Sequence, residues 1–597
     1  VEAPAEAVPL DGLRLDVRSA SGVAASTLAD ALQALGAVTI SGSFEFWQPD
    51  PAVIAVVTPE TGHDLADLEG LKDEASMLAE VAARCGRETD HQILFATQRA
   101  LRGPSIDPVA ASWWGWARAC ALELGPTFAG AVDADDVEGL AQAVATHLGS
   151  DDGELFMVLR EGRRLVPRLV PAPESLTEAG PASLREDRSY LVIGANGPVG
   201  LALLDYLTER GAKYLTLTGR GQPKEPLNLR MDALHRQGVD VEWTLAHADD
   251  PSQMRDVISS FGRDRPELDG VFLTAFAGGP CSLEDLTAED VDAMYRPKVD
   301  AAVYLDRLTS ELDLSIFALF SSTTGCLGSR QLAHYSGASG FLDGLAYHRR
   351  ERGLPALAID WGIWAGRLDE TSDNERRHVE GSGLQAMDDQ LAIYALDQLL
   401  AQNEFCQVMV ADADWELVRV AYSTRTSFTL VDQLLWPSNE AEPEARGASM
   451  LAATPPRERS DAVVTWVRRV VANLMHLRNP EQLPVDKGLF DVGLDSLMSV
   501  QVQRALNEDF GVGLSPTVVY SHPTVAALAS QILERLRLGG ATEERRGLRP
   551  CLTIRLRLLA WRAASPEEKV STSSGQPCQP GATPSVRSLL SGGTLQA

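Results

Sequence analysis

The chain has 597 residues, 45% hydrophobic and 23% charged, enough apolar material for several cores and too balanced a mixture for a disordered protein. Its formal charge of −30 repels phosphate backbones and anionic bilayers, so nucleic acid and membrane surfaces are excluded as expected partners. The seven cysteines include no Cys-x-x-Cys pair, no apolar run spans a bilayer and the first residues lack signal-peptide order, so a cytoplasmic protein with reduced thiols and no metal is expected.

The chain opens on Val1 rather than methionine, which suggests a piece of a longer polypeptide. From the start to about Leu169, runs such as "AVTI", "AVIAVV", "QILF" and "LFMVL" alternate with Ala- and Leu-rich amphipathic stretches, the strand–helix rhythm of an α/β layer fold. No turn here has a phosphate-cradling glycine pattern, so residues 1–178 read as scaffold, and the tryptophans of "SWWGWARAC" read as packing surface.

After the Pro-, Ser- and Glu-rich stretch "LVPAPESLTEAGPASLREDRS", a second α/β unit is expected over 179–432. It opens with "YLVIGANGPVGLALLDYLTERGAKYLTLTGR", an apolar strand, a glycine turn, an amphipathic helix and a second strand. In such a βαβ unit Gly194 permits the tight turn, Gly197 leaves room for a pyrophosphate, Gly200 lets helix and strand approach, and the helix N-terminus offers N–H donors. Gly194, Asn196, Gly197, Val199 and Gly200 are the candidate cofactor loop. Arg220, closing the second strand, suits a 2′-phosphate and so favours NADPH.

Further on, "LFSSTTGCLGSRQLAHYSGASGFLDGLAYHRR" sets Ser322 before a Gly-rich turn and Tyr335 after it. Ketone reduction needs a hydride donor, a group that polarises the carbonyl and an acid for the developing alkoxide; Ser322 and Tyr335 can supply the last two. A tyrosine gives up its proton more readily beside an ammonium, yet the position four residues on, where many short-chain reductases carry lysine, holds Ser339.

Residues 433–460 read as a solvated linker. "DAVVTWVRRVVANLM", with Val463, Val467, Val470, Val471 and Leu474 at helical spacing, opens a small all-helical unit over 461–537, in which Met498, Val502, Ala505 and Leu506 repeat the pattern. Residues 538–597 are basic, then Ser-, Gly- and Pro-rich, the composition of a disordered tail.

The stretch "FALFSSTTGCLGSRQLAHYSGASGFLDGLAYHRRERGLPALAIDWGIWA" resembles the catalytic core of polyketide synthase ketoreductases. "DPVAASWWGWARACALELGP" resembles their noncatalytic structural subdomain, and "KGLFDVGLDSLMSVQVQRALNEDFGVGLSPTVVYSHPTVAALA" resembles an acyl carrier protein. The resemblance implies two Rossmann-like short-chain dehydrogenase/reductase subdomains followed by a four-helix carrier. That family takes its lysine from upstream, here Lys298 in "YRPKVDAAVYLDRL", and has asparagine where Ser339 stands. Ser496 of "GLDSLMSVQ" matches the serine that bears 4′-phosphopantetheine.

The implied reaction is NADPH-dependent reduction of a β-ketoacyl thioester on that arm. Implied partners are ketosynthase and acyltransferase domains of the same or a neighbouring polypeptide, a phosphopantetheinyl transferase, and a dimeric megasynthase around them. Several positions depart from the family pattern: Ala195, Pro198, His247, Phe276 at an expected glycine, and Ser339. They keep an alternative open, a redox-inactive scaffold or an α-carbon epimerase fused to a working carrier. Gly278 to Pro280 and Leu327 carry neither fingerprint of hydroxyl stereochemistry.

Overall fold

The computed structural model describes residues 3–538, with gaps of which 369–381 and 436–450 are the longest, together with 557–563. Most of the expected linker and tail therefore lies outside the described residues.

The first unit is built on an 8-stranded sheet. Its parallel centre runs Phe156–Arg160, Phe128–Ala134, Gln92–Gln98, Ile54–Val57, Arg14–Ser19, Val38–Ser43. The apolar runs of the sequence become strands buried on both faces. Ile93 to Thr97 are buried without interruption, as a parallel sheet covered by helices on each side requires.

The second unit repeats the architecture on an 11-stranded sheet. Its parallel part runs Asp240–Leu245, Tyr214–Gly219, Ser189–Ile193, Leu268–Leu273, Ile316–Ser322, Leu357–Trp361, Gln407–Ala413. The chain starts in the middle, winds one way, then crosses to wind the other. The winding direction reverses between Ser189–Ile193 and Leu268–Leu273, and the carboxyl ends of strands at such a switch point are where doubly wound sheets take ligands. One segment of the stretch expected to stay unfolded, Arg557–Ala563, is a strand that pairs antiparallel with Gln407–Ala413 and with Pro167–Pro171.

The two units meet along a seam of small residues. Helix Pro108–Leu124 of the first unit lies against helix Ala333–Glu351 of the second. A Cβ on Gly115 would stand 2.0 Å from the Ser336 carbonyl oxygen, and one on Gly340 would stand 2.6 Å from that of Ala111. Backbone touches backbone, which only glycine permits. The tryptophans flank this seam: Trp114 and Trp116 are fully buried, Trp114 Nε1 donates to Thr97 Oγ1 at 2.8 Å, and Trp116 Nε1 donates to Tyr295 Oη at 2.8 Å. Packing surface is thus what the cluster forms.

The helical unit comprises Arg459–Leu474, Ser496–Phe510, Val518–Ser521 and Val525–Leu538. Val463, Val467, Val471, Val502 and Leu506 share its core, with Val470 and Met498 half-buried against it. Each fully buried aliphatic side chain contributes about 1.5–3 kcal/mol, so the heptad-like spacing in the sequence is enough to close this bundle.

Candidate active site

The glycine turn follows strand Ser189–Ile193 directly. Gly194 has φ +91°, and a Cβ there would meet Ala275 Cα at 2.6 Å, so the turn needs both the left-handed backbone and the missing side chain. A Cβ on Gly200 would stand 2.4 Å from the Ala195 carbonyl oxygen, which seats the helix Pro198–Glu209 against the turn. Gly197 differs from both: a Cβ there would meet nothing within 4 Å. It caps the helix without any side-chain bond, which leaves the first-turn N–H groups uncapped by a side chain.

Asn196 is engaged within the protein. Its amide donates to the Gln222 carbonyl at 3.1 Å and accepts from the Lys224 N–H at 2.9 Å, tying the glycine turn to the loop after Arg220. Val199 packs half-buried against the second unit's core, and Arg220 is exposed directly after strand Tyr214–Gly219. His247 is also exposed, with Nδ1 3.9 Å from an Asp249 carboxylate oxygen.

Ser322, Tyr335 and Lys298 arrive from three separate elements. Ser322 ends strand Ile316–Ser322 and caps the short helix Thr323–Leu327, its Oγ accepting from the Thr324 N–H at 3.2 Å. Tyr335 lies in the first turn of helix Ala333–Glu351, and its hydroxyl is hydrogen-bonded by Ser322. Burial raises the Tyr335 phenol above its ordinary value, while the Ser322 bond and the positive charge of Arg367 oppose that rise.

Lys298 sits in a π-helical turn, Arg296–Asp300, between two α-helices; such a bulge re-aims one side chain inward. Its Nζ donates to the Phe320 carbonyl at 2.9 Å and stands 5.0 Å from the Tyr335 ring centroid. The ammonium therefore faces the ring of the tyrosine. Burial lowers Lys298 to about 8, against the pull of Asp343 and Asp360. Ser339, one turn after Tyr335, is fully buried; among the described residues its Oγ has no hydrogen-bond partner, and its carbonyl accepts from Ser321 Oγ at 3.2 Å. The hydroxyl therefore makes no hydrogen bond to Lys298.

Beneath these groups lies a polar floor that sequence reading missed. Asp343 and Asp360 are buried and hydrogen-bonded to one another, and Asp360 Oδ2 also accepts from Cys326 Sγ at 3.1 Å and Gln407 Nε2 at 2.9 Å. Burial and mutual repulsion push Asp343 well above the usual carboxylate range, and burial raises Asp360 as well. Arg118, from the first unit, donates to the Gly325 carbonyl beside it. The only signal in the sequence was an aspartate inside each of two apolar runs, "GFLDGLA" and "LAIDWG".

Phe276 is 38% exposed, and its ring meets that of Tyr335 edge to face, centroids 5.2 Å apart at 88°. Arg367 covers the other partner: its Cζ is 4.7 Å from the Phe276 centroid.

Residues 188–366 match the KR domain model, and residues 465–532 match the phosphopantetheine attachment site model. A phenolphthiocerol/phthiocerol polyketide synthase of Mycobacterium bovis is 38% identical over 451 residues, covering 74% of this chain and 29% of that one. The chain is a segment of a polyketide synthase module, a KR domain followed by a phosphopantetheine-attachment domain. It spans less than a third of that mycobacterial synthase. Erythronolide synthase EryA3 of Saccharopolyspora erythraea is 31% identical over 75% of this chain and 14% of its own length.

The ketoreductase also resembles the solved "Structure of A-type Ketoreductases from Modular Polyketide Synthase", with TM-score 0.61 and 25% identity, covering 73% of this chain and 95% of that one. Both Rossmann-like sheets of the ketoreductase are therefore family architecture. The glycine turn, Lys298, Ser322 and Tyr335 all fall within the matched KR region, and Ser496 within the carrier region, where it begins helix Ser496–Phe510.

Proposed function

We propose that this polyketide synthase segment reduces a β-ketoacyl thioester, carried on 4′-phosphopantetheine at Ser496, to the β-hydroxyacyl thioester with NADPH. The observation that carries the reading is the convergence of Ser322, Tyr335 and Lys298 from three elements at the carboxyl end of the second sheet. The open side of Gly197 at a helix N-terminus suits a pyrophosphate, and exposed Arg220 suits a 2′-phosphate; NADPH held there supplies the hydride. Ser322 and Tyr335 hydrogen-bond the substrate carbonyl, where charge develops, and Tyr335 delivers the proton to its oxygen. Lys298 holds positive charge behind the tyrosine ring.

A second reading, a redox-inactive ketoreductase fold or α-carbon epimerase, draws on Phe276 lying against Tyr335. One experiment separates the two: the purified chain mixed with NADPH and a β-ketoacyl thioester oxidises the cofactor under the first. Absence of oxidation, with no NADPH binding by calorimetry, overturns that reading. Ketosynthase and acyltransferase partners, dimeric assembly and cytoplasmic location are part of the same proposal. No helix among the described residues is long and apolar enough to cross a membrane.

Two further results are expected. A phosphopantetheinyl transferase adds one phosphopantetheine mass to the parent chain and none to Ser496→Ala, read by intact mass spectrometry; an unmodified parent rejects the carrier assignment. Reductase kcat/KM falls as pH rises through about 8, because Lys298 loses its proton there, and burial has moved that loss down from the ordinary lysine range. Asp360→Asn removes an opposing carboxylate, so the fall moves to lower pH in a full pH–rate profile.

A further inference from the structure

The expected role for Lys298 is to stabilise the tyrosine in its deprotonated form, yet its Nζ is committed to the Phe320 carbonyl and aimed at the ring face. A second neighbour of Tyr335 is arranged differently. Phe276 presents its ring edge-to-face with Tyr335, centroids 5.2 Å apart, and the Arg367 guanidinium lies 4.7 Å from the centre of the Phe276 ring. Stacking of this kind fixes a guanidinium in place at little further entropic cost, because the planar group is preorganised. Arg367 lies just beyond strand Ile363–Trp364, in the short helix Ala365–Leu368, whereas Phe276 follows strand Leu268–Leu273. Two chain segments about ninety residues apart in sequence thus meet over one phenol.

We propose that Arg367 is a positioning residue for Tyr335: seated on Phe276, its guanidinium stabilises the phenolate left when Tyr335 gives up its proton. The step balances simply. Once a hydride from the reduced dinucleotide has reached the carbonyl carbon, the carbonyl oxygen carries the charge; the Tyr335 O–H bond breaks, a new O–H bond forms on that oxygen, and the charge moves to the phenolate. This inference rests on the reductase reading, and it gives Phe276 a purpose that its place at an expected glycine does not suggest.

Other groups facing Tyr335 divide by sign. Ser322 hydrogen-bonds the hydroxyl, and Asp360 opposes ionisation from the buried floor. His334, the preceding residue, is held neutral by burial, pushed down to about 4. Lys298 loses its charge near pH 8, whereas a guanidinium does not deprotonate in the working range. Arg367 is therefore the cation that still supports the phenolate in alkaline solution. A unit charge within about 10 Å at an effective dielectric near 20 changes an ionisation constant about tenfold.

The test reads the phenol itself. 3,5-Difluorotyrosine incorporated at position 335 ionises nearer neutrality than tyrosine and is followed by fluorine NMR against pH. Arg367→Met is expected to lower its ionisation constant about tenfold, Phe276→Ala to lower it in the same direction, and Arg367→Lys to keep it within about threefold of the parent. The proposal is overturned if Arg367→Met leaves the constant within twofold, or if Arg367→Lys falls as far as Met, which makes the effect one of packing rather than charge. Circular dichroism of each variant confirms that the reading comes from folded protein. Because the titration needs no turnover, a parent chain that never oxidises NADPH sinks the reductase reading while this measurement still decides the role of Arg367.

Discussion

Tyr335→Phe is expected to lower the rate of NADPH oxidation with a β-ketoacyl thioester by about 10²–10⁴-fold, the span that removing a positioned general acid produces. The substitution deletes one oxygen and keeps the ring, so the edge contact with Phe276 and the face presented to Lys298 both persist. Ser322 also keeps a partner, since its Oγ accepts from the Thr324 N–H. Calorimetry should then give an NADPH affinity within a few-fold of the parent, because the glycine turn and Arg220 lie on other elements. A rate within tenfold of the parent would remove Tyr335 from the proposed chemistry. A large loss of both rate and affinity would instead show that the hydroxyl organises the pocket.

Gly115→Val should be the most damaging single change outside the site. Its Cβ would lie 2.0 Å from the Ser336 carbonyl oxygen and 2.6 Å from the Ser336 carbonyl carbon, one residue after Tyr335. Overpacking costs about 1–3 kcal/mol where side chains can yield. Here the obstacle is main chain, so the two helices must separate and Tyr335 must shift with its helix. A displacement of about 1 Å at a reacting group costs about a hundredfold in rate. The expected result is a melting temperature lower by at least about 4 °C for the ketoreductase unit and a rate loss of about 10² or more. Phosphopantetheinylation of Ser496 should be unchanged, because the carrier helices close their own core. Gly115→Ala, with the same clash and less bulk, should fall between parent and Val; a thermally silent Val variant would mean that the seam is looser than its distances imply.

Much of this organisation is legible along the chain because it is local. Period and composition are enough to mark two α/β layers and a helical bundle. The glycine turn, its flanking strand and its helix are contiguous, so their chemistry can be read from spacing alone. The same holds for Ser322 and Tyr335, which share one stretch of sequence. Lys298 is different: no periodicity points to it, and only resemblance to a family supplies it. What places it is a π-helical turn, a local irregularity that residue patterns do not announce.

The polar floor and the Phe276–Arg367 stack were beyond reach for another reason. Asp343 and Asp360 each look like an isolated acid in an apolar run, and their meaning appears only when a helix and a strand bring them into one buried, hydrogen-bonded pair. Arg367 gives no signal of its own, and Phe276 reads as a defect at an expected glycine.

The α/β rhythm and the candidate donors Ser322 and Tyr335 thus follow from the linear order of residues, whereas Lys298 and the candidate carrier serine Ser496 came from the family resemblance. Three-dimensional packing had to settle which way the Lys298 ammonium points, that the Ser339 hydroxyl is left without a partner among the described residues, and that a glycine seam holds the tyrosine helix against the first unit. Those outcomes depend on distances of a few ångströms between segments remote in sequence, and burial, which sets the charge of each group, is a property of the packed whole.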